Sequence, residues 1–166
     1  TKKEKYSEYF KPLKPESWYK DKIQWLSTLD IDAILNQYIK KYPDFYFIGA
    51  VPMDFDTKLT VGFCVVEALC KIDLKKLYKK GIRKIGVVFN LDPHYKSGSH
   101  WVALYLSFET AGIYYFDSYG MKPPPEVIDL MNRLQNMGNS LIFDKILPIN
   151  DINNEHQIIH KIDNIS

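Results

Sequence analysis

The sequence predicts an α+β fold in which a central, mostly antiparallel β-sheet is flanked by helices. Short apolar runs rich in aromatic and β-branched residues predict strands, and segments with apolar residues three and four positions apart predict helices. In chain order these segments give a helix, a strand, a helix, three strands, a helix and a strand, which is typical of α+β proteins. The 166 residues, 46% of them hydrophobic, are enough for one domain with one packed core.

The N-terminal region is predicted to be an arm that precedes the domain. Residues 1–22 are polar and aromatic and contain two prolines, so we expect an extended segment. Residues 23–166 are predicted to form the domain itself. Four aromatic side chains of the arm are expected to pack on the domain: Tyr6, Tyr9, Phe10 and Trp18.

The first long helix follows the arm. Either Ser27 or Asp30 can serve as its N-cap, and Pro43 ends it. Its apolar residues recur at helical spacing and form one face: Ile31, Ile34, Leu35, Tyr38 and Ile39. Residues 45–51 are then predicted to form a strand, and residues 62–80 one or two helices.

The second half of the domain contains the remaining strands. Three consecutive strands are predicted at 84–90, 100–108 and 112–117. A last strand is predicted at 141–147, and residues 150–166 are expected to be irregular.

A proline-rich loop separates the third of those strands from the last long helix. That helix is predicted to run from about Glu126 to Met137 and to stop at Gly138. The residues expected to face the core are Val127, Leu130, Met131 and Leu134.

Composition excludes several classes of function. The net charge of +2 is too small to predict nucleic-acid binding, and the lysine clusters are interpreted as solvated surface. No apolar run reaches the roughly 20 residues of a membrane span, and no secretory signal opens the chain. Two cysteines, Cys64 and Cys70, are too few for a disulfide framework and are interpreted as small core residues. We therefore expect an intracellular location, with neither nucleic acid nor membrane as a partner.

One pair of residues carries a chemical signal. His100 opens one predicted strand, and Asp117 closes the next, seventeen positions later. Two strands joined by a turn bring these ends side by side, so the carboxylate can hold and orient the imidazole. Such a pair is two thirds of a nucleophilic triad.

These residues carry a family resemblance. His100-Trp101, followed at this spacing by Asp117-Ser118, resembles the ubiquitin-like-protein-specific cysteine proteases, a superfamily with the papain-like fold. It includes adenovirus-type endopeptidases, SUMO-processing proteases and polyprotein-processing proteases of large DNA viruses. Softer matches are Trp25-Leu26-Ser27 and the run Val87–Asn90 before the His loop. Pro123–Pro125, followed by an amphipathic helix, resembles the large-virus members in particular.

The resemblance implies a site. His100 would be the general base and Asp117 its orienting carboxylate, and Gln157 would donate its amide N–H to the oxyanion. Trp101 and Trp25 would line a narrow substrate groove, which in the family favours Gly-containing cleavage sites. The implied partners are protein or peptide substrates, such as a viral polyprotein or a ubiquitin-like protein, and no cofactor is implied. If the protein is viral, the implied location is the host cytoplasm or the virion.

The nucleophile of that pattern is absent from the sequence. The family's Cys-Gly begins about six residues after the Gln, where this chain has Asp163. Either the chain is a fragment that ends before the nucleophile and its helix, in which case these lie on a missing C-terminal segment or a partner chain, or it is a pseudo-protease. A pseudo-protease would bind ubiquitin-like or Gly-rich tails without cleavage, or serve as a structural assembly subunit. Cys64 precedes His100, the reverse of the family order.

The histidines of the sequence are also candidate metal ligands. Three histidines, His94, His156 and His160, are the candidate ligands, but their spacings match no standard zinc pattern and no cysteine pair accompanies them. We therefore predict no metal site.

Overall fold

The computed structural model describes residues 10–21, 23–143 and 159–162. Its strands are β1 (Phe45–Pro52), β2 (Lys84–Asn90), β3 (Trp101–Ser107), β4 (Gly112–Phe116) and β5 (Ile159–Ile162). Its helices are α1 (Ser17–Lys20), α2 (Thr28–Lys41), α3 (Glu67–Cys70), α4 (Leu74–Lys79) and α5 (Pro125–Phe143). The predicted α+β class is confirmed. Within the described ranges, no helix is long and apolar enough to cross a membrane.

The five strands form one mixed sheet in the order β1-β2-β3-β4-β5. Its central pairings, β2 with β3 and β3 with β4, are antiparallel, as predicted. Its outer pairings, β1 with β2 and β4 with β5, are parallel. A parallel pair needs a crossover connection, and α3 and α4 lie in the one between β1 and β2.

The core lies on one face of this sheet. Alternate residues of β2, β3 and β4 are buried there against α5, α3 and α4 because side chains of a strand point to opposite faces in turn. The predicted inward residues of α5 are all buried: Val127, Leu130, Met131 and Leu134. The core therefore holds in place β3, which begins directly after His100, and β4, which ends directly before Asp117.

Helix α2 is capped as the sequence indicates and is held against β1. Ser27 is the N-cap, and Asp30 completes a capping box by accepting the Ser27 backbone N–H at 2.9 Å. The β1–β2 register shifts between Phe47 and Ala50, and there the Ala50 N–H donates to the Asp32 carboxylate at 3.1 Å. This contact ties the start of α2 to the end of β1.

The described part of the N-terminal arm packs on α2. The Phe10 ring meets the Tyr38 ring edge-to-face at 5.1 Å. The Gln37 side chain accepts the Leu13 N–H at 2.8 Å and donates to the Leu13 carbonyl at 3.0 Å. Tyr6 and Tyr9 lie outside the described residues, so their predicted packing stays a prediction.

Two predictions near the C-terminus are wrong. Helix α5 does not stop at Gly138 but continues to Phe143. A glycine costs a helix only about 1 kcal/mol relative to alanine, and Leu141, only 2% exposed, extends the buried apolar stripe beyond it. Residues 141–143 of the predicted strand 141–147 are therefore helical, and residues 144–147 lie outside the described ranges.

The last strand lies elsewhere. It is β5, Ile159–Ile162, within the segment 150–166 that was expected to be irregular. A strand of four residues, two of them the polar His160 and Lys161, gives little local signal. Its pairing partner, β4, is distant in sequence.

The two cysteines also differ from expectation. Cys64 and Cys70 are half-buried and form a disulfide with a Cα–Cα distance of 6.4 Å. Residues 62–80 were predicted to form one or two helices, but the first of them, α3, begins only at Glu67, whose side chain accepts the Cys64 N–H at 2.8 Å. The chain thus turns at Cys64 and brings the two residues together.

Candidate functional site

The antiparallel pairing of β3 with β4 places the predicted residues at one end of the sheet. Ala103 pairs with Phe116, so Asp117, the residue after β4, comes across from Val102. His100, the residue before β3, lies two positions from Val102 and so points to the same side of the strand, where it is a diagonal neighbour of Asp117. The geometry predicted from their positions on two adjacent strands is present.

His100 and Asp117 make a direct hydrogen bond. His100 Nε2 lies 2.7 Å from Asp117 Oδ1, and the two side chains are 19% and 3% exposed. With the carboxylate accepting the Nε2 proton, neutral His100 carries its lone pair on Nδ1. Nδ1 is the nitrogen that this pair leaves available to an incoming nucleophile.

Asp117 is held in its ionised form. Burial opposes the charge, but the Tyr119 backbone N–H, the His100 ring and the Met121 backbone N–H together hold the pKa of Asp117 below its ordinary value. The Tyr119 N–H donates to the same Oδ1 at 2.9 Å. Burial, with a smaller contribution from the Asp117 charge, raises the pKa of the neighbouring Tyr115 to about 12. The site therefore contains one fixed negative charge beside the imidazole.

Tyr119 covers one face of the His100 ring. The two rings are stacked at 4.4 Å with an angle of 17° between their planes. The Tyr119 side chain is otherwise exposed. One residue thus supports both members of the pair, through its backbone N–H on Asp117 and its ring on His100.

A groove of about 590 Å³ is lined by Ser99 and Trp101, the residues on either side of His100, but not by His100 or Asp117 themselves. Its walls come from the start of α2, the end of β1 and the loop 91–99. Both tryptophans expected to line a substrate groove, Trp25 and Trp101, lie along it. Trp101 donates its indole N–H to the Leu26 carbonyl at 2.9 Å, which holds the indole in place, whereas Trp25 is 75% exposed.

A second histidine–carboxylate pair lies on the groove wall. His94 Nδ1 lies 2.5 Å from Asp54 Oδ2, and the His94 backbone N–H donates to Asp54 Oδ1 at 2.8 Å. Sequence reasoning missed this pair because the residues are forty positions apart and no strand pairing relates them. From the sequence, His94 was a candidate metal ligand only.

The remaining predicted site residues are not brought into this arrangement. Gln157 lies outside the described residues, so its oxyanion role stays a prediction. Cys64 and Cys70 are both disulfide-bonded, so neither offers a free thiol. Among the described residues, no three His, Cys, Asp or Glu side chains form a group that could hold a metal ion.

The chain is similar in sequence to viral proteases. It is 37% identical over 125 residues to a protein of Acanthamoeba polyphaga mimivirus assigned as a thiol protease, covering 72% of this chain and 39% of that protein. It is 29% identical to a cysteine protease of African swine fever virus, covering 66% of this chain and 43% of that protein. This chain therefore spans less than half the length of either relative. No protein-family profile matches it.

The fold is similar as well. A crystal structure of the African swine fever virus protease superposes with a TM-score of 0.55 and 27% identity, covering 68% of this chain and 43% of that one. These similarities confirm the resemblance predicted from the sequence, to the ubiquitin-like-protein-specific cysteine protease superfamily in its viral form.

Proposed function

We propose that this chain supplies the His–Asp half of the active site, and part of the substrate groove, of a viral cysteine endopeptidase. The observation that carries the proposal is the partly buried bond between His100 Nε2 and Asp117, which leaves Nδ1 for a thiol. Neither cysteine of the chain is a free thiol. The nucleophile is therefore assigned to a cysteine of the natural protein that lies outside this sequence.

The proposed chemistry follows from the pair. A thiol has a pKa of about 8.5 in water and becomes a thiolate at neutral pH only beside a positive charge. His100 takes the thiol proton on Nδ1, and the ionised Asp117 stabilises the imidazolium that results. The thiolate attacks the scissile carbonyl carbon, and His100 then gives the proton to the leaving amine. Water hydrolyses the thioester and regenerates the thiol.

The proposed substrates are proteins cleaved after an extended, Gly-containing segment. Support comes from the groove that Trp25 and Trp101 help to line, together with the SUMO-1 cysteine protease name of related African swine fever virus proteins. A glycine backbone, which has no side chains, would meet the least steric hindrance beside such bulky rings. Viral polyproteins and ubiquitin-like proteins both offer such segments.

The test uses the natural gene product that contains this chain, purified at full length. It is assayed on fluorogenic peptides that carry Gly-Gly before the scissile bond and on matched peptides with Ala-Ala there. We expect cleavage of the Gly-Gly peptides, abolished by iodoacetamide and unaffected by a serine-directed fluorophosphonate. A full-length product that cleaves neither set, nor any viral polyprotein fragment, would contradict the proposal.

A further inference from the structure

We propose that Asn90 is a positioning residue for His100, acting through the loop that joins β2 to β3. The inference rests on the proposed function, because His100 is the general base assigned there. Asn90 is the last residue of β2 and pairs with Trp101, the first residue of β3. Asn90 therefore lies at the same end of the sheet as His100, the residue just before β3.

A single oxygen of Asn90 binds both ends of this loop. Asn90 Oδ1 accepts the backbone N–H of Asp92 and the backbone N–H of Ser99, each at 3.0 Å. The first bond is a local turn of the kind that Asn side chains commonly make. The second spans nine positions and holds the residue directly before His100. Without this oxygen, the partly buried Asp92 N–H and the exposed Ser99 N–H would both lose this partner, and Ser99 would lose its tie to β2.

Gly98 lies so close to the Asn90 amide that a side chain at this position would not fit. Its φ of +98° is a conformation that residues with a Cβ rarely adopt, and a Cβ there would lie 2.7 Å from Asn90 Nδ2. The loop backbone thus passes directly against the Asn90 side chain. Asn90 and Gly98 form one unit that determines where Ser99 lies.

His100 is consequently held from both sides. Its own carbonyl accepts the Leu91 N–H at 2.9 Å, and the preceding Ser99 is held by Asn90. These contacts fix the backbone from which the imidazole reaches Asp117. A displacement of about 1 Å in a catalytic group can reduce the rate about 100-fold, so the Asn90 contact matters to catalysis although Asn90 touches no reacting atom.

The test compares two substitutions in the natural full-length protein. Asn90→Asp keeps an acceptor oxygen in the same position, whereas Asn90→Leu removes it at similar volume. We expect Asn90→Leu to lower kcat by about tenfold or more, with a smaller change in KM, and Asn90→Asp to stay within about threefold of the unsubstituted protein. Equal kcat values for Asn90→Leu and the unsubstituted protein would overturn the inference, as would equal losses in both variants.

A second measurement separates positioning from folding. In NMR spectra of the His100 ring, the unsubstituted protein and Asn90→Asp should show the same downfield Nε2–H resonance, the mark of the hydrogen bond to Asp117. Asn90→Leu should show this resonance shifted or broadened, and an unchanged Nε2–H resonance in that variant would overturn the inference. If Asn90→Leu does not fold, Gly98→Ala replaces it, because it keeps the acceptor and displaces the loop instead.

The spectra also separate the two proposals. If the unsubstituted protein cleaves no peptide, the proposed function fails, and the ring signals alone decide the role of Asn90.

Discussion

The two histidine–carboxylate pairs of this protein have the same chemical groups in different surroundings. The pair His100–Asp117 joins the ends of two central strands, and its side chains are 19% and 3% exposed. The pair His94–Asp54 joins two loops, and its side chains are 45% and 18% exposed. Asp117 engages Nε2 and leaves Nδ1, whereas Asp54 engages Nδ1 and leaves Nε2.

The different surroundings of the two pairs favour different roles. Asp117 is ionised, buried and held by backbone N–H groups, so it can stabilise an imidazolium at a fixed position. Asp54 also binds the His94 backbone N–H, which fixes the loop 91–99. We therefore infer a catalytic role for the first pair and a structural role for the second.

The largest effect is expected from removing the imidazole that we propose as the general base. In the natural full-length protein, His100→Gln should lower kcat by about 10³-fold or more, because glutamine cannot take the thiol proton. His94→Gln is the matched control and should lower kcat/KM less than about tenfold, through the groove wall. Peptide cleavage kinetics measure both, and similar losses in the two variants would refute the distinction between the pairs.

A somewhat smaller loss is expected for the carboxylates. Asp117→Asn should lower kcat by about 10²-fold, because an amide oxygen can still accept the Nε2–H but supplies no negative charge to stabilise the imidazolium. Asp54→Asn, which keeps one oxygen for the His94 N–H, should have an effect below about tenfold. If Asp54→Asn proves the more damaging of the two, the assignment of roles is reversed.

The Tyr119 ring is expected to contribute less. Tyr119→Ala removes the ring stacked on His100 but keeps the backbone N–H on Asp117, and should lower kcat by about three- to tenfold. Tyr119→Phe retains the stacking and should match the unsubstituted protein. Equal kinetics for all three proteins would show that the ring does not orient His100.

The smallest predicted effect concerns stability in acid. Because the pKa of Asp117 is lowered in the folded protein, its contribution to the free energy of unfolding is complete above the ordinary Asp value and is lost as pH falls through the lowered pKa. The stability difference between the unsubstituted protein and Asp117→Asn should therefore shrink as the pH is lowered to about 2. Urea unfolding across this range measures the difference. If the difference in the free energy of unfolding between the two proteins does not change with pH, the charge of Asp117 does not stabilise the folded protein.

The sequence predicted the catalytic-type pair because local patterns on two neighbouring strands determine it. His100 and Asp117 each lie next to a clear strand signal, and a single turn joins the strands. The second pair had no such signal, since Asp54 and His94 meet only after β1, β2 and their crossover have packed. For the same reason the Asn90 contact with Ser99 could not be anticipated, although it spans only nine positions.

The predictions that failed depended on interactions from distant parts of the chain. Gly138 is a helix terminator by local preference, but the burial of Leu141 against the core outweighs that preference. β5 forms because β4 offers it an edge. Cys64 and Cys70 pair because the chain turns before α3, which the helical spacing of these residues concealed.

The central claim is that His100 and Asp117 serve a thiol from outside this sequence. Its most direct test is the rate of iodoacetamide alkylation of the natural full-length protein as a function of pH, with the modified cysteine identified by peptide mapping. We expect one cysteine outside residues 1–166 to be alkylated at pH values well below the ordinary thiol pKa of about 8.5. This reactivity at low pH should be lost in His100→Gln and retained in His94→Gln. An alkylation profile that His100→Gln leaves unchanged would contradict the account.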